Sequence, residues 1–281
     1  MKKDLLIAGG CSFTVKNFET YDTTVPKNER GPWTMWPEHL ANHLSLDCIN
    51  VGEGGAGADY IFNSVFEAIC KNKGRVHTVA ILWSDCSRSE MYHSYFTNII
   101  AELADQRKFS HWERPDGKKF EMKGWMEKLG VGDLALKFFK QMPFPYSMYR
   151  NMVNNQMSKI AAMISICDLL DIKLVMLQGV HFIGNEYLDD FIDRGIVPEY
   201  VRLPNSTLAK YILNSPYFEQ IKNSKTFIGF PFTKMLGGYS IDELRSNGDG
   251  TLKYAVSETD NHPTAQGQEF IASVFMEKLN G

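Results

Sequence analysis

The chain reads as an α/β protein, a mostly parallel sheet with helices packed against it. Short apolar runs alternate with longer segments of helical period, which is what such a sheet requires. The runs are apolar nearly throughout, as strands buried on both faces should be. With 281 residues, 44% of them hydrophobic, the chain is long enough to bury a sizeable core in one large domain spanning residues 1–281.

The elements follow in order. Asp4 to Cys11 forms the first strand, Trp36 to Leu44 a helix, Asp47 to Val51 the second strand and Ala58 to Lys71 a second helix. Thr78 to Trp83 is the third strand. A long helix over Met148 to Leu170 then places Val153, Met157, Ile160, Ile164 and Cys167 at steps of four and three, a stripe expected in the core. Ile172 to Leu177 is a fourth strand. The last helix, Ala265 to Leu279, stacks Phe270, Ile271, Val274, Phe275 and Leu279, and Thr264 is placed to cap it. Two stretches, about 91–146 and 182–247, are too long for simple connections and are expected as insertions on the single domain. The first carries an Asp116-Gly117 hairpin signal and a dense set of aromatic residues, including Trp112, Phe120 and Trp125, for which packing is the default role.

Composition narrows the partners. Thirty basic against thirty-three acidic residues give a formal charge of -3, with no basic excess to suit a nucleic acid. The five cysteines, Cys11, Cys48, Cys70, Cys86 and Cys167, are odd in number and lack CxxC spacing, against a disulfide framework or structural zinc site. The opening apolar run is broken at Asp4 and too short for a leader, and no window approaches the roughly 18 apolar residues of a membrane span. A cytoplasmic protein with no membrane partner is expected.

In open α/β sheets, ligands bind beyond the carboxyl ends of the strands. There this chain places GGCSFT with Ser12, NVGEGGAGAD with Gly52, Gly54, Gly55 and Gly57, WSDCSR with Ser84, Asp85 and Arg88, and, before the last helix, ETDNHPTAQG with Asp260 and His262. A serine hydroxyl needs a base to become a nucleophile, and an imidazole with pKa near 6.5 is the usual one. His262 suits that role and Asp260 the task of orienting it. Backbone amides at Ser12 and Gly55 are candidates to hold a developing oxyanion. Each residue also has a plainer role: Ser12 as a turn residue, His262 as a surface imidazole near the last helix, Gly55 as a turn glycine, Asp85 and Arg88 as an ion pair.

At these four blocks the chain resembles the SGNH hydrolase superfamily, the GDSL-like lipases and esterases. GCSFT resembles the first block, NVGEGGAG the second and DNHP the last. The resemblance implies a flavodoxin-like three-layer α/β/α sandwich with strand order 2-1-3-4-5. It also implies hydrolysis of a small acyl ester, an ester on a carbohydrate among them, with Ser12, His262, Asp260 and Gly55 in the catalytic roles. Ser84, Asp85 and Arg88 would lie beside the substrate, and no cofactor or metal is implied. Three positions depart from the family pattern. Cys11 stands where the first block usually has aspartate, Thr259 where the acid usually precedes the histidine, and Asp85 where an asparagine usually donates to the oxyanion.

That last departure keeps a second reading open: an SGNH-like protein impaired in catalysis that binds a glycan or other polar ligand. A dinucleotide site is a third, because Gly52, Gly54 and Gly57 satisfy GxGxxG. However, that fingerprint normally follows the first strand, and an acidic residue is expected about 20 positions on, where Arg75 and His77 stand. His39 and His43 are four apart on a helix but have no third ligand, so a solvated helix face accounts for them.

Overall fold

The computed structural model describes residues 3–20, 22–86, 146–182, 205–241, 244, 253–257 and 260–281. Its elements run β1 (Leu5–Gly10), α1 (Trp36–Leu44), β2 (Asp47–Asn50), α2 (Ala58–Lys71), β3 (Val76–Trp83), α3 (Tyr146–Leu169) and β4 (Lys173–Gln178). They continue with α4 (Asn205–Leu213), α5 (Phe218–Ser224), β5 (Phe227–Ile228), β6 (Ala255–Ser257), β7 (Asp260–Pro263) and α6 (Ala265–Asn280).

The main sheet has strand order β2-β1-β3-β4-β5, with every neighbouring pair parallel. All six residues of β1 are buried, as are seven of the eight in β3. Strands so fully covered need a layer on each face. Two helix pairs supply the layers: α1 packs against α6, and α2 against α3. This is the flavodoxin-like three-layer sandwich.

Local sequence explains the helix ends. Pro37 sits in the first turn of α1, where its missing N–H costs nothing, and Ser45 ends the helix in the left-handed region at φ 54°. The Thr264 side chain accepts a hydrogen bond from the Gly267 amide at 3.2 Å, capping α6 as expected. Trp36 on α1 meets Phe275 on α6 with ring centroids 4.7 Å apart, and both are fully buried. Burial of such side chains supplies roughly 1.5–3 kcal/mol each. The five-residue stripe on α3, Val153 to Cys167, is buried throughout.

The second long stretch does more than decorate the domain. Within it, Phe227 and Ile228 pair with Met176 and Leu177 as the fifth strand of the sheet, and α4 and α5 pack against α3. A two-residue strand has no period to read, which is why the sequence hid it. Aromatic packing secures this edge: Phe227 lies 4.9 Å from Phe232, which stacks on Phe182 at 4.3 Å. The first stretch, with Asp116-Gly117 and its aromatic residues, lies outside the described residues. Among the described residues no helix is long and apolar enough to cross a membrane.

Candidate active site

Immediately after β1 the chain tightens into a turn, in which the amides of Thr14 and Val15 donate to the Cys11 carbonyl at 2.8 and 3.1 Å. Cys11, Phe13 and Thr14 are buried, leaving Ser12 half-buried at the strand end. The glycines around it are required by close packing. A Cβ on Gly10 would lie 2.1 Å from Thr14 Oγ1, and one on Gly52 would lie 2.7 Å from Thr14 Cβ and Cγ2. Thr14 therefore sits in a space that both glycines leave open. Its Oγ1 accepts from Trp36 Nε1 at 3.1 Å, and its carbonyl accepts from Asn50 Nδ2 at 2.7 Å. With Glu53 N donating to Gly10 O at 3.1 Å, the first two loops are tied together.

Gly55 adopts φ +75°, a conformation that favours glycine whatever else the loop does. The amides of Ser12 and Gly55 take no hydrogen-bond partner among the described residues. Of the GxGxxG glycines, Gly52 is required by packing, against Thr14; Gly54 has open space where a Cβ would be, and Gly57 precedes α2.

Strand β7 brings Asp260 and His262 onto one face, because residues two apart on a strand point the same way. His262 Nδ1 lies 2.5 Å from Asp260 Oδ1, and the His262 amide donates to the same oxygen at 3.0 Å. Thr20 Oγ1 donates to Asp260 Oδ2, and the Asp260 amide donates to Ser257 Oγ at 3.1 Å. Burial alone would push the Asp260 carboxyl up. Hydrogen bonds from His262 and Thr20 and the charge of His262 outweigh it and hold the carboxyl down at about 2. Ionised Asp260 only accepts, so Nδ1 carries the proton and Nε2 of a neutral imidazole is left as an acceptor.

Two aromatic rings hold the imidazole. Phe18 stacks on it with centroids 4.5 Å apart, and Phe13 meets it edge-on at 5.4 Å. Phe13 follows Ser12 directly, so the imidazole lies against the turn that carries the hydroxyl. No hydrogen bond joins Ser12 to His262 among the described residues. A cleft of about 310 Å³ opens nearby, lined by Lys16, Asn17, Pro32, Trp33 and others, with the Trp33 ring 6.1 Å from Phe18. Neither Ser12 nor His262 lines it.

At the end of β3, Ser84 and Asp85 are buried, 1% and 5% exposed. The Ser84 carbonyl accepts from Gln178 Nε2 at 2.7 Å, and Gln178 Oε1 accepts from Gln156 Nε2 at 3.0 Å. Ser84 Oγ has no hydrogen-bond partner among the described residues. Burial, then the Asp85 charge, pushes the neighbouring Cys86 thiol well above its ordinary value. Arg88 lies outside the described residues. On α1, His39 is half-buried and His43 exposed, and the described residues contain no cluster of three or more metal-ligating side chains.

Sequence reasoning missed Phe13, Phe18, Thr20, Asp22 and Ser257. Of these, only the Asp22-Thr23-Thr24 run carried a local signal: the Asp22 carboxylate accepts from the Thr24 amide at 2.9 Å, the Asx turn that such residues favour.

No family model matches this chain, and no curated protein does either. Among solved structures it is similar to Axe2, an acetylxylan esterase from Geobacillus stearothermophilus, at 13% identity and a TM-score of 0.40, covering 100% of this chain and 95% of that one. It is also similar to a G-D-S-L family protein from Desulfitobacterium hafniense DCB-2, at 13% identity and a TM-score of 0.41, covering 98% of this chain and 99% of that one.

Proposed function

We propose that the chain is a serine esterase-type hydrolase acting on a small acyl ester, including one carried by a carbohydrate. In this reading Ser12 Oγ attacks the acyl carbon while its proton passes to His262 Nε2. The tetrahedral oxyanion is met by the amides of Ser12 and Gly55. His262 then returns the proton to the departing alcohol, leaving the acyl group on Ser12. Water, deprotonated by the same imidazole, releases the acid and restores the serine. Asp260 fixes the Nδ1–H tautomer and offsets the charge that develops on the ring. No metal or organic cofactor enters these steps.

The observation that carries this reading is the Asp260–His262 pair at 2.5 Å, with the imidazole packed on Phe13 beside Ser12. It also answers the shortened spacing between acid and base, because a two-residue step along an extended strand keeps both side chains on one face. Hydrogen bonds between base and nucleophile are often long without substrate, so the unmade Ser12–His262 bond is compatible with catalysis.

That unmade bond, together with Asp85 at the block where an asparagine usually donates, favours the competing reading of a binding protein for a glycan or other polar ligand. A fluorophosphonate probe separates the two. The esterase reading expects labelling of the intact chain and none of Ser12→Ala. A chain that stays unlabelled at Ser12 and does not hydrolyse aryl acetates is the binding protein instead.

A further inference from the structure

Behind the Asp260–His262 pair lies a second carboxylate to which the mechanism above gives no role. Asp22 is 3% exposed and lies in the loop between β1 and α1, more than 230 residues away in sequence from β7. Two hydroxyls join the two acids. Ser257 Oγ donates to Asp22 Oδ2 at 2.5 Å and accepts from the Asp260 amide at 3.1 Å. Thr20 Oγ1 accepts from the Asp22 amide at 3.0 Å and donates to Asp260 Oδ2.

Each hydroxyl has a single proton, and here its direction is set. Thr20 Oγ1 accepts from the Asp22 amide, and because a carboxylate oxygen accepts, the Thr20 proton goes to Asp260. Ser257 Oγ likewise accepts from the Asp260 amide and gives its proton to the Asp22 carboxylate. The loop is itself braced: the Thr20 amide donates to the Arg30 carbonyl at 2.9 Å, and the Thr24 amide and hydroxyl donate to Asp22 Oδ1 at 2.9 and 2.7 Å.

We infer that Asp22 is a positioning residue for the Asp260–His262 pair, acting through the hydroxyls of Thr20 and Ser257. Its catalytic meaning rests on the esterase reading. Asp22 touches neither ring nitrogen of His262, but its backbone amide donates to Thr20 Oγ1 and its carboxylate accepts from Ser257 Oγ, so it holds in place the two hydroxyls that flank Asp260. Asp260 Oδ2 is thereby occupied, and Oδ1 is the oxygen left for the imidazole.

The test uses the full chain and two readouts. The first is the downfield proton resonance of His262 Nδ1–H, a signature of its hydrogen bond to Asp260 that needs no turnover. The second is the division of any rate loss between kcat and KM for an aryl acetate. Thr20→Val and Ser257→Ala are expected to broaden or remove the resonance and to lower kcat about 10- to 100-fold. KM should change by less than about twofold, because the substrate contacts stay in place. Asp22→Asn should follow them in direction, and Thr20→Ser should restore both readouts.

Variants that keep the resonance, or lose it while keeping kcat, overturn the inference. Should Thr20→Val fail to fold, Ser257→Ala and Asp22→Asn decide it. If the unmodified chain neither labels nor hydrolyses, the esterase reading falls alone. The resonance then judges the positioning role, and its persistence in the variants removes that role.

Discussion

The ends of β7 and β3 solve the same problem in opposite ways. At β7, a half-buried acid and base are held by hydrogen bonds reaching Thr20, Ser257 and Asp22, and two aromatic rings fix the imidazole. At β3, Ser84 and Asp85 are sunk almost completely, and the Ser84 hydroxyl has no partner among the described residues. A buried hydroxyl without a partner costs about 1–3 kcal/mol, so the β3 end carries, at Ser84, a polar group that the described residues do not satisfy. The contrast is between an imidazole held in one orientation by fixed partners and a strand end whose hydroxyl is left unpaired by the described residues. On the esterase reading proposed above, the base is organised before substrate arrives, and the oxyanion is left to the glycine loop and the turn after β1.

The largest test of this contrast is Asp260→Asn. It reverses the tautomer that Asp260 imposes on the ring and is expected to lower kcat about ten-thousandfold, measured with an aryl acetate. The same acid should appear in stability. Its carboxyl is held down at about 2 against an ordinary value of 3.8, so its contribution, on the order of 2 kcal/mol, is fully present above about pH 4. It is lost as the pH falls through about 2, because only the unfolded chain binds the proton between those values. Denaturant titrations of both proteins from pH 2 to 6 should show a difference that shrinks with acidification. A difference that does not vary with pH would contradict the assignment.

Gly52→Ala tests the other side through the scaffold. Its new Cβ would lie 2.7 Å from two Thr14 side-chain atoms, an overlap expected to cost roughly 1–3 kcal/mol and read as a lowered Tm. Asp85→Asn sharpens the comparison by placing a donor at the end of β3. A rise in kcat of about tenfold is expected, below the hundred- to thousandfold that one well-placed oxyanion donor contributes. An unchanged or lower kcat would separate β3 from the reaction. The smallest effect belongs to Gly54→Ala. A Cβ there meets nothing within 4 Å, so stability should stay within about 0.5 kcal/mol, and any larger loss would revive a role for the GxGxxG spacing.

Much of this architecture was legible in the chain. The bounds of α1 and α2 follow from their apolar periods, and β1 to β4 fall within two residues of their apolar runs. The edge strand Phe227–Ile228 was not legible, because two residues carry no alternation and its burial comes from aromatic partners such as Phe182 and Phe232. In the candidate site, Ser12, Gly55, Asp260 and His262 announce themselves by residue type and place in short blocks. Thr20, Asp22 and Ser257 do not. Their contacts close over 235 to 240 residues, and a hydrogen bond between distant loops leaves no spacing to recognise. Phe18 was hidden for a similar reason, since an aromatic residue in a loop looks the same whether it stacks on an imidazole or fills a gap.

The pairing of Asp260 with His262 on one four-residue strand has a mechanical consequence. Their separation is inherited from the pleat, so both travel as a single tooth when the hairpin tilts against the sheet. Such a tilt would alter the reach from imidazole to alcohol and leave the grip of acid on ring intact.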